Sequence, residues 1–166
     1  MMLTDLFLEQ LDREAARTKA TLANVPTGKD DYKPADKSMP LGRLAMLVAQ
    51  MPSWIPMILD QDALDLGAGN VDQTPLRTPA ELLAALEKGV AGAKKSLQAT
   101  DDAHLMTTWK LQMKGQTVSE DQRYAVIRDT FSHLAHHRAQ LGVYLRMNGA
   151  KVAAVYGPSA DDQHFA

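Results

Sequence analysis

Apolar residues recur at helical spacing in four stretches of this chain. Leu3, Leu6, Phe7, Leu11, Ala15 and Leu22 share one face of a segment whose other face is charged. That pattern predicts an amphipathic helix from about Leu3 to Leu22. A polar, turn-rich stretch from Pro26 to Lys37 follows, and a second helix is expected to open near Ser38 and Pro40. Leu41, Leu44, Leu47 and Val48 form its buried side. Pro52 and Pro56 lack an amide donor, so this helix should end, kink or restart around Met51.

Asp60 to Arg77, with Gly67, Gly69 and Pro75, reads as a long irregular stretch. The third helix then has a clear start. Thr78 can cap, Pro79 suits the first helical position, and Glu81 completes a capping box. Leu82, Leu86, Val90, Ala93 and Leu97 continue it. Between His104 and Val118 the period changes to two, because Trp109, Leu111 and Met113 alternate with Lys110, Gln112 and Lys114. With Lys114-Gly115 at the turn, this predicts a short hairpin or extended arm. Ser119 and Gln122 look like a second capping box, opening the longest helix from about Glu120 to Met147, and Asn148-Gly149 stops it. The expectation is an all-α four-helix bundle with a short arm before the last helix, one domain over residues 1–166.

Composition narrows the chemistry. The 166 residues include no cysteine, nine methionines and five histidines, so neither a disulfide nor a thiolate metal site is available. A net charge of −2 argues against a nucleic-acid binder held by bulk attraction to phosphate and against a polybasic membrane anchor. The first twenty residues carry Asp5, Glu9, Asp12, Arg13 and Glu14, unlike a secretory leader. No apolar run approaches a membrane span, so a cytoplasmic protein is expected.

Three histidines lie between His133 and His137. On a wheel of the last helix, Ile127, Phe131, Leu134, Leu141 and Leu145 form the core stripe. His133 and His137 fall together about 100° away, on the border of that stripe with Val126, Thr130, Gln140 and Tyr144. Two imidazoles four residues apart project side by side and can share one metal ion. The plainer reading is two half-buried histidines bonded to backbone, side chains or water. His136 points away from the pair, while His104 and His164 read as solvated, as do Asp5, Glu9 and Asp12. Arg138 lies in the core stripe, where it would bridge to a carboxylate or bind an anion. Met46, Met51 and Met57 suit core filling, and Trp54 and Trp109 suit packing anchors.

The run from Phe131 to Arg146, with its His-x-x-x-His-Arg-x-Gln-Leu centre, resembles the last-helix signature of the DinB-like (damage-inducible, YfiT-like) superfamily. The likeness continues through Asn148-Gly149, Val152 and Tyr156 to Asp161, and includes Pro40 to Ala45 ahead of Trp54 and the hairpin with Trp109. The resemblance implies a helical bundle, commonly a homodimer, holding nickel or zinc through three histidines. Two would be His133 and His137. The third belongs to the second helix, where this chain reads Leu44-Ala-Met-Leu47-Val-Ala49, so Leu47 stands at the ligand position. Gln50, one turn on, offers only an amide oxygen, a poor ligand for either metal.

The expected site is therefore incomplete: His133 and His137, with Leu47, Gln50, Arg138, Gln140 and Tyr144 around them. It fits a weak or vacant metal site beside a small-molecule pocket. The alternative is an active metal-dependent enzyme, of the thiol-dependent transferase, isomerase or hydrolase kind, acting on a small electrophile.

Overall fold

The computed structural model describes residues 2–69 and 74–164. Helix α1 spans Leu3–Leu22, α2 Leu41–Gln50, α3 Trp54–Asp60, α4 Pro79–Gln98, α5 Asp102–Leu105 and α6 Arg123–Met147. Three strands, β1 Ala63–Asp65, β2 Thr108–Met113 and β3 Gln116–Gln122, form one sheet in that order. The chain is thus mostly helical, with α1, the broken α2–α3 arm, α4 and α6 packed on one another. No helix among the described residues is long and apolar enough to cross a membrane.

The second arm breaks as its prolines dictate. Residues Met51–Ser53 make one tight turn between α2 and α3, and α4 crosses it closely enough that a Cβ on Gly89 would sit 3.1 Å from the Ser53 amide. Helix α4 opens with the expected capping box, Thr78 Oγ1 accepting from the Glu81 amide at 3.2 Å. The N-terminus of α1 is capped from a distance. Asp102 accepts from the Leu3 amide at 2.9 Å, placing a carboxylate where the helix dipole favours one.

The all-α expectation is corrected by the sheet. The turn at Lys114 and Gly115 has φ of 52° and 79°, the two left-handed residues of a type I′ hairpin. Strand β3 runs on to Gln122, pairing Leu111 with Ser119 and Thr108 with Gln122. Ser119 is therefore a strand residue and not a helix cap, and α6 starts at Arg123 rather than Glu120. The stretch expected to be irregular contains β1, which pairs in parallel with β2 through Ala63 and Lys110. Its residues 70–73 lie outside the described residues. Three residues are too few to show a period, and β1 is held by a side chain instead. Asp65 accepts from the amides of Gly67, Lys114 and Gly115 at 2.7, 2.8 and 2.7 Å. Those bonds hold its carboxyl below the usual value.

Arg123 replaces the missing cap. Only 2% exposed, its guanidinium donates to the carbonyls of Ile58, Gln61 and Thr108, to Thr107 Oγ1 and to Asp62. One side chain thereby closes the end of α3, the start of β2 and the start of α6. Its own amide donates to the Thr107 carbonyl at 3.0 Å.

The core has two centres. Leu41, Leu44, Val48, Leu82, Leu86 and Leu145 belong to one, and Ile55, Ile58, Ala93, Leu97, Trp109 and Ile127 to the other. Trp54 packs against both. In α1 the buried face is Thr4, Leu11, Glu14, Thr18, Thr21 and Leu22, while Leu6, expected inside, is 41% exposed. The apolar positions misplace that face because polar residues occupy most of it.

Arg123→Met should lower the free energy of urea unfolding by about 2–3 kcal/mol, since it strands several buried acceptors at once. Arg123→Lys should recover only part of the loss, as an ammonium cannot span the same fork. A change under about 0.5 kcal/mol in the Met variant would show that the clamp is dispensable.

Candidate functional site

Helix α6 turns one edge toward α2 and α3 and the other toward α1 and the C-terminal tail. His133 and His137 lie on the first edge. Their Nε2 atoms are 2.8 Å apart, a direct hydrogen bond between the imidazoles. His137 Nδ1 lies 2.8 Å from Gln140 Oε1, and Gln140 Nε2 lies 3.1 Å from His136 Nε2. An amide oxygen only accepts, so His137 carries its proton on Nδ1 and offers a bare Nε2 to the Nε2–H of His133. The bonds run in one direction, from His133 through His137 and Gln140 to His136. The indole of Trp54 meets the His133 ring edge-on, 5.4 Å between centroids.

His136 is a correction. Its ring lies 5.0 Å from that of His137, and Gln140 couples them, so it joins the network although its helical phase points it away from the pair. The reach of a glutamine side chain spans the angle between the two faces. His104 is also less solvated than expected, half-buried with Nε2 2.9 Å from the Leu59 carbonyl. His164 is exposed and paired with Asp162. The α1 carboxylates Asp5, Glu9 and Asp12 are exposed.

The remaining expected residues divide. Gln140 is bonded to His137, whereas Tyr144 is buried and donates to the Met39 carbonyl at 3.2 Å. Leu47 is half-buried against the core cluster that contains Leu134 and Leu141. Gln50 is half-buried, and its carbonyl accepts from Ser53 Oγ at 2.6 Å.

Arg138 belongs to the other side of the helix. It is 3% exposed and meets Glu14, 1% exposed, at 2.6 Å. Arg138 also donates to Thr18 Oγ1 at 3.0 Å and to the Tyr156 hydroxyl at 2.8 Å. Glu14 accepts further from Gln10, Arg17 and Tyr156 at 2.9, 2.8 and 3.1 Å. The sequence carried a signal for Glu14 that hydrophobic patterning skips. It shares the 3–4 spacing of Leu11, Thr18 and Leu22, and a charge in a core register needs a buried partner.

The histidine face does not fit a three-histidine metal centre. Among the described residues no three or more His, Cys, Asp or Glu side chains are grouped to hold an ion. Leu47 has no donor atom. Two imidazoles bound to one tetrahedral zinc stand about 3.3 Å apart at their nitrogens, given bonds of roughly 2.0–2.1 Å. The pair would therefore have to open, and His133 would have to shift its proton to Nδ1.

Partial burial, then the neighbouring His137 and His136, pushes the His133 imidazole below its ordinary value of 6.5. A histidine with a depressed folded pKa contributes stability above its unfolded pKa and loses it as the pH falls through the folded one. The protein should thus become easier to unfold in urea below about pH 6.5, before the carboxylates titrate. His133→Gln should flatten that slope; an unchanged slope would place the acid sensitivity elsewhere.

A DinB family model matches residues 1–164. Among solved structures, a DinB-like protein from Bacillus subtilis is 14% identical with a TM-score of 0.70, over 96% of this chain and 99% of that one. A DinB-like protein from Bacillus cereus is 22% identical with a TM-score of 0.67, over 90% and 95%. Those identities show a shared fold. A comparison with curated proteins found no match. With the family match spanning nearly every residue, the chain belongs to the DinB family.

Proposed function

We propose that the His133–His137 face is a weak or vacant divalent-metal site and forms one wall of a small-molecule pocket. The observation that carries this reading is the direct 2.8 Å bond between the two Nε2 atoms, together with a leucine, Leu47, at the sequence position where the resemblance implies a third histidine. A pair of imidazoles that satisfy each other needs no ion between them. An apolar residue at the third position adds no ligand and makes the face less attractive to a cation. In this tautomer His133 Nδ1 is an acceptor and His136 Nδ1–H a donor, with the Trp54 indole beside them. A small molecule with a flat apolar part and a hydrogen-bond donor suits that surface. The chain would act as a homodimer, as the resemblance implies, and within the cytoplasm.

A second reading is a metal-dependent enzyme, of transferase or hydrolase type, acting on a small electrophile. It is favoured by the bond from His137 Nδ1 to Gln140, because metal-binding imidazoles are commonly held by a carbonyl on their other nitrogen. Nickel or zinc would then sit on His133 and His137, with water or substrate completing the shell.

Metal retention separates the two. After exposure to nickel or zinc and exhaustive dialysis, the natural protein should keep fewer than about 0.2 ions per chain, and Leu47→His about one, since three histidines hold an ion that two do not. A full equivalent kept by the natural protein would overturn the first reading and support the second.

A further inference from the structure

On the edge of α6 away from the histidines, a groove of about 360 Å³ runs between α1, α6 and the tail at Tyr156. We propose that this groove is a second binding site, for a small aromatic carboxylate, independent of the histidine face. Its floor is apolar. Phe7 of α1 stacks on Phe131 of α6, 6.2 Å between centroids and 28° between planes, and Ala135 extends that floor along α6. Tyr156 closes the far end with its ring, because its hydroxyl is already engaged with Glu14 and Arg138. A volume of this size lined by aromatic rings and a few polar groups suits a ligand of one or two fused rings.

Charge decides which ring system. Glu14 is the only carboxylate lining the groove among the described residues, and four neighbours occupy it: Gln10, Arg17, Arg138 and Tyr156. A cationic ligand therefore meets no bare acceptor. Arg17 and Arg138 stand behind that carboxylate and neutralise it, and Arg17 lies over the Tyr156 ring at 4.4 Å, so Arg128 is the one charged lining residue, among the described residues, whose charge faces a ligand. At the mouth stands Arg128, 64% exposed. Its partner is the adjacent Asp129, 67% exposed and outside the groove, at 3.1 Å. So exposed a pair is nearly neutral in energy and leaves the guanidinium free to exchange it for a better one. Ser132 sits one turn on from Arg128, and its hydroxyl, which donates to the Arg128 carbonyl over a long 3.4 Å, can turn to the same anion. A carboxylate at the mouth would meet Arg128 and Ser132 while its rings lie against Phe7 and Phe131.

The test is a titration of the full chain, by calorimetry or ligand-observed NMR, with naphthoate, naphthamide and naphthylmethylammonium. The three share a ring system and differ in charge. Naphthoate should bind saturably, naphthamide about tenfold more weakly, as loss of one charge-assisted contact implies, and the ammonium not measurably. Arg128→Glu lies on the surface and should fold normally. It should weaken naphthoate by at least about tenfold and leave naphthamide unchanged. Ala135→Trp should fill the groove and abolish both. His133→Ala, on the opposite edge of α6, should leave the titration as it was. The proposal fails if naphthoate does not bind, if the three ligands bind equally, or if binding survives Ala135→Trp and disappears with His133→Ala.

Discussion

A carboxylate and a guanidinium 2.6 Å apart, both almost wholly out of water, decide how this molecule is oriented around its last helix. Taking either ion from solvent is costly, and the pair is tolerable because further hydrogen bonds satisfy both ends. Thr18 and Tyr156 complete Arg138, while Gln10, Arg17 and Tyr156 complete Glu14. Those partners come from α1 and the tail, so the pair locks both to α6. Rotating α6 about its axis would strand one buried charge, a penalty of about 3–5 kcal/mol. Arg123 does the corresponding work at the start of the same helix, where it ties α6 to α3 and the sheet.

With its rotation fixed at two points, α6 presents two different edges. One holds the hydrogen-bonded histidines beside Trp54, and the other the aromatic groove beneath Tyr156. The two differ in chemistry as well as place. The histidine edge consists of imidazole rings bonded to one another and to Gln140. The groove has an apolar floor with Arg128 among its lining residues. The packing that positions α6 rests on its ion pairs and core contacts.

Much of the helical layout was legible in the sequence, because the apolar residues of α2, α4 and α6 face the core with the 3.6-residue period. Thr78 and Glu81 announced the start of α4, and Pro52 and Pro56 marked the break in the second arm. What escaped depends on contacts between residues far apart in the chain. Strand β1 is three residues long and is anchored by Asp65 reaching the hairpin turn about fifty residues later. Ser119 had the spacing of a cap, yet pairing with Leu111 keeps it in a strand. At the site, the four-residue spacing was enough to bring His133 and His137 together. It could not show that they bond to each other, nor that Gln140 draws in His136. Glu14 was missed because a charge inside an apolar stripe looks like an interruption until its partner on α6 is seen.

His133 and His137 satisfy each other through a direct bond between their Nε2 atoms. Imidazole nitrogen chemical shifts in the protein at neutral pH, recorded by long-range proton–nitrogen correlation, test it most directly. Complementary tautomers are expected, with His133 protonated on Nε2 and His137 on Nδ1, and a shared proton between the two Nε2 atoms. Two rings both protonated on Nδ1, with both Nε2 atoms bare as a bound metal requires, would contradict it.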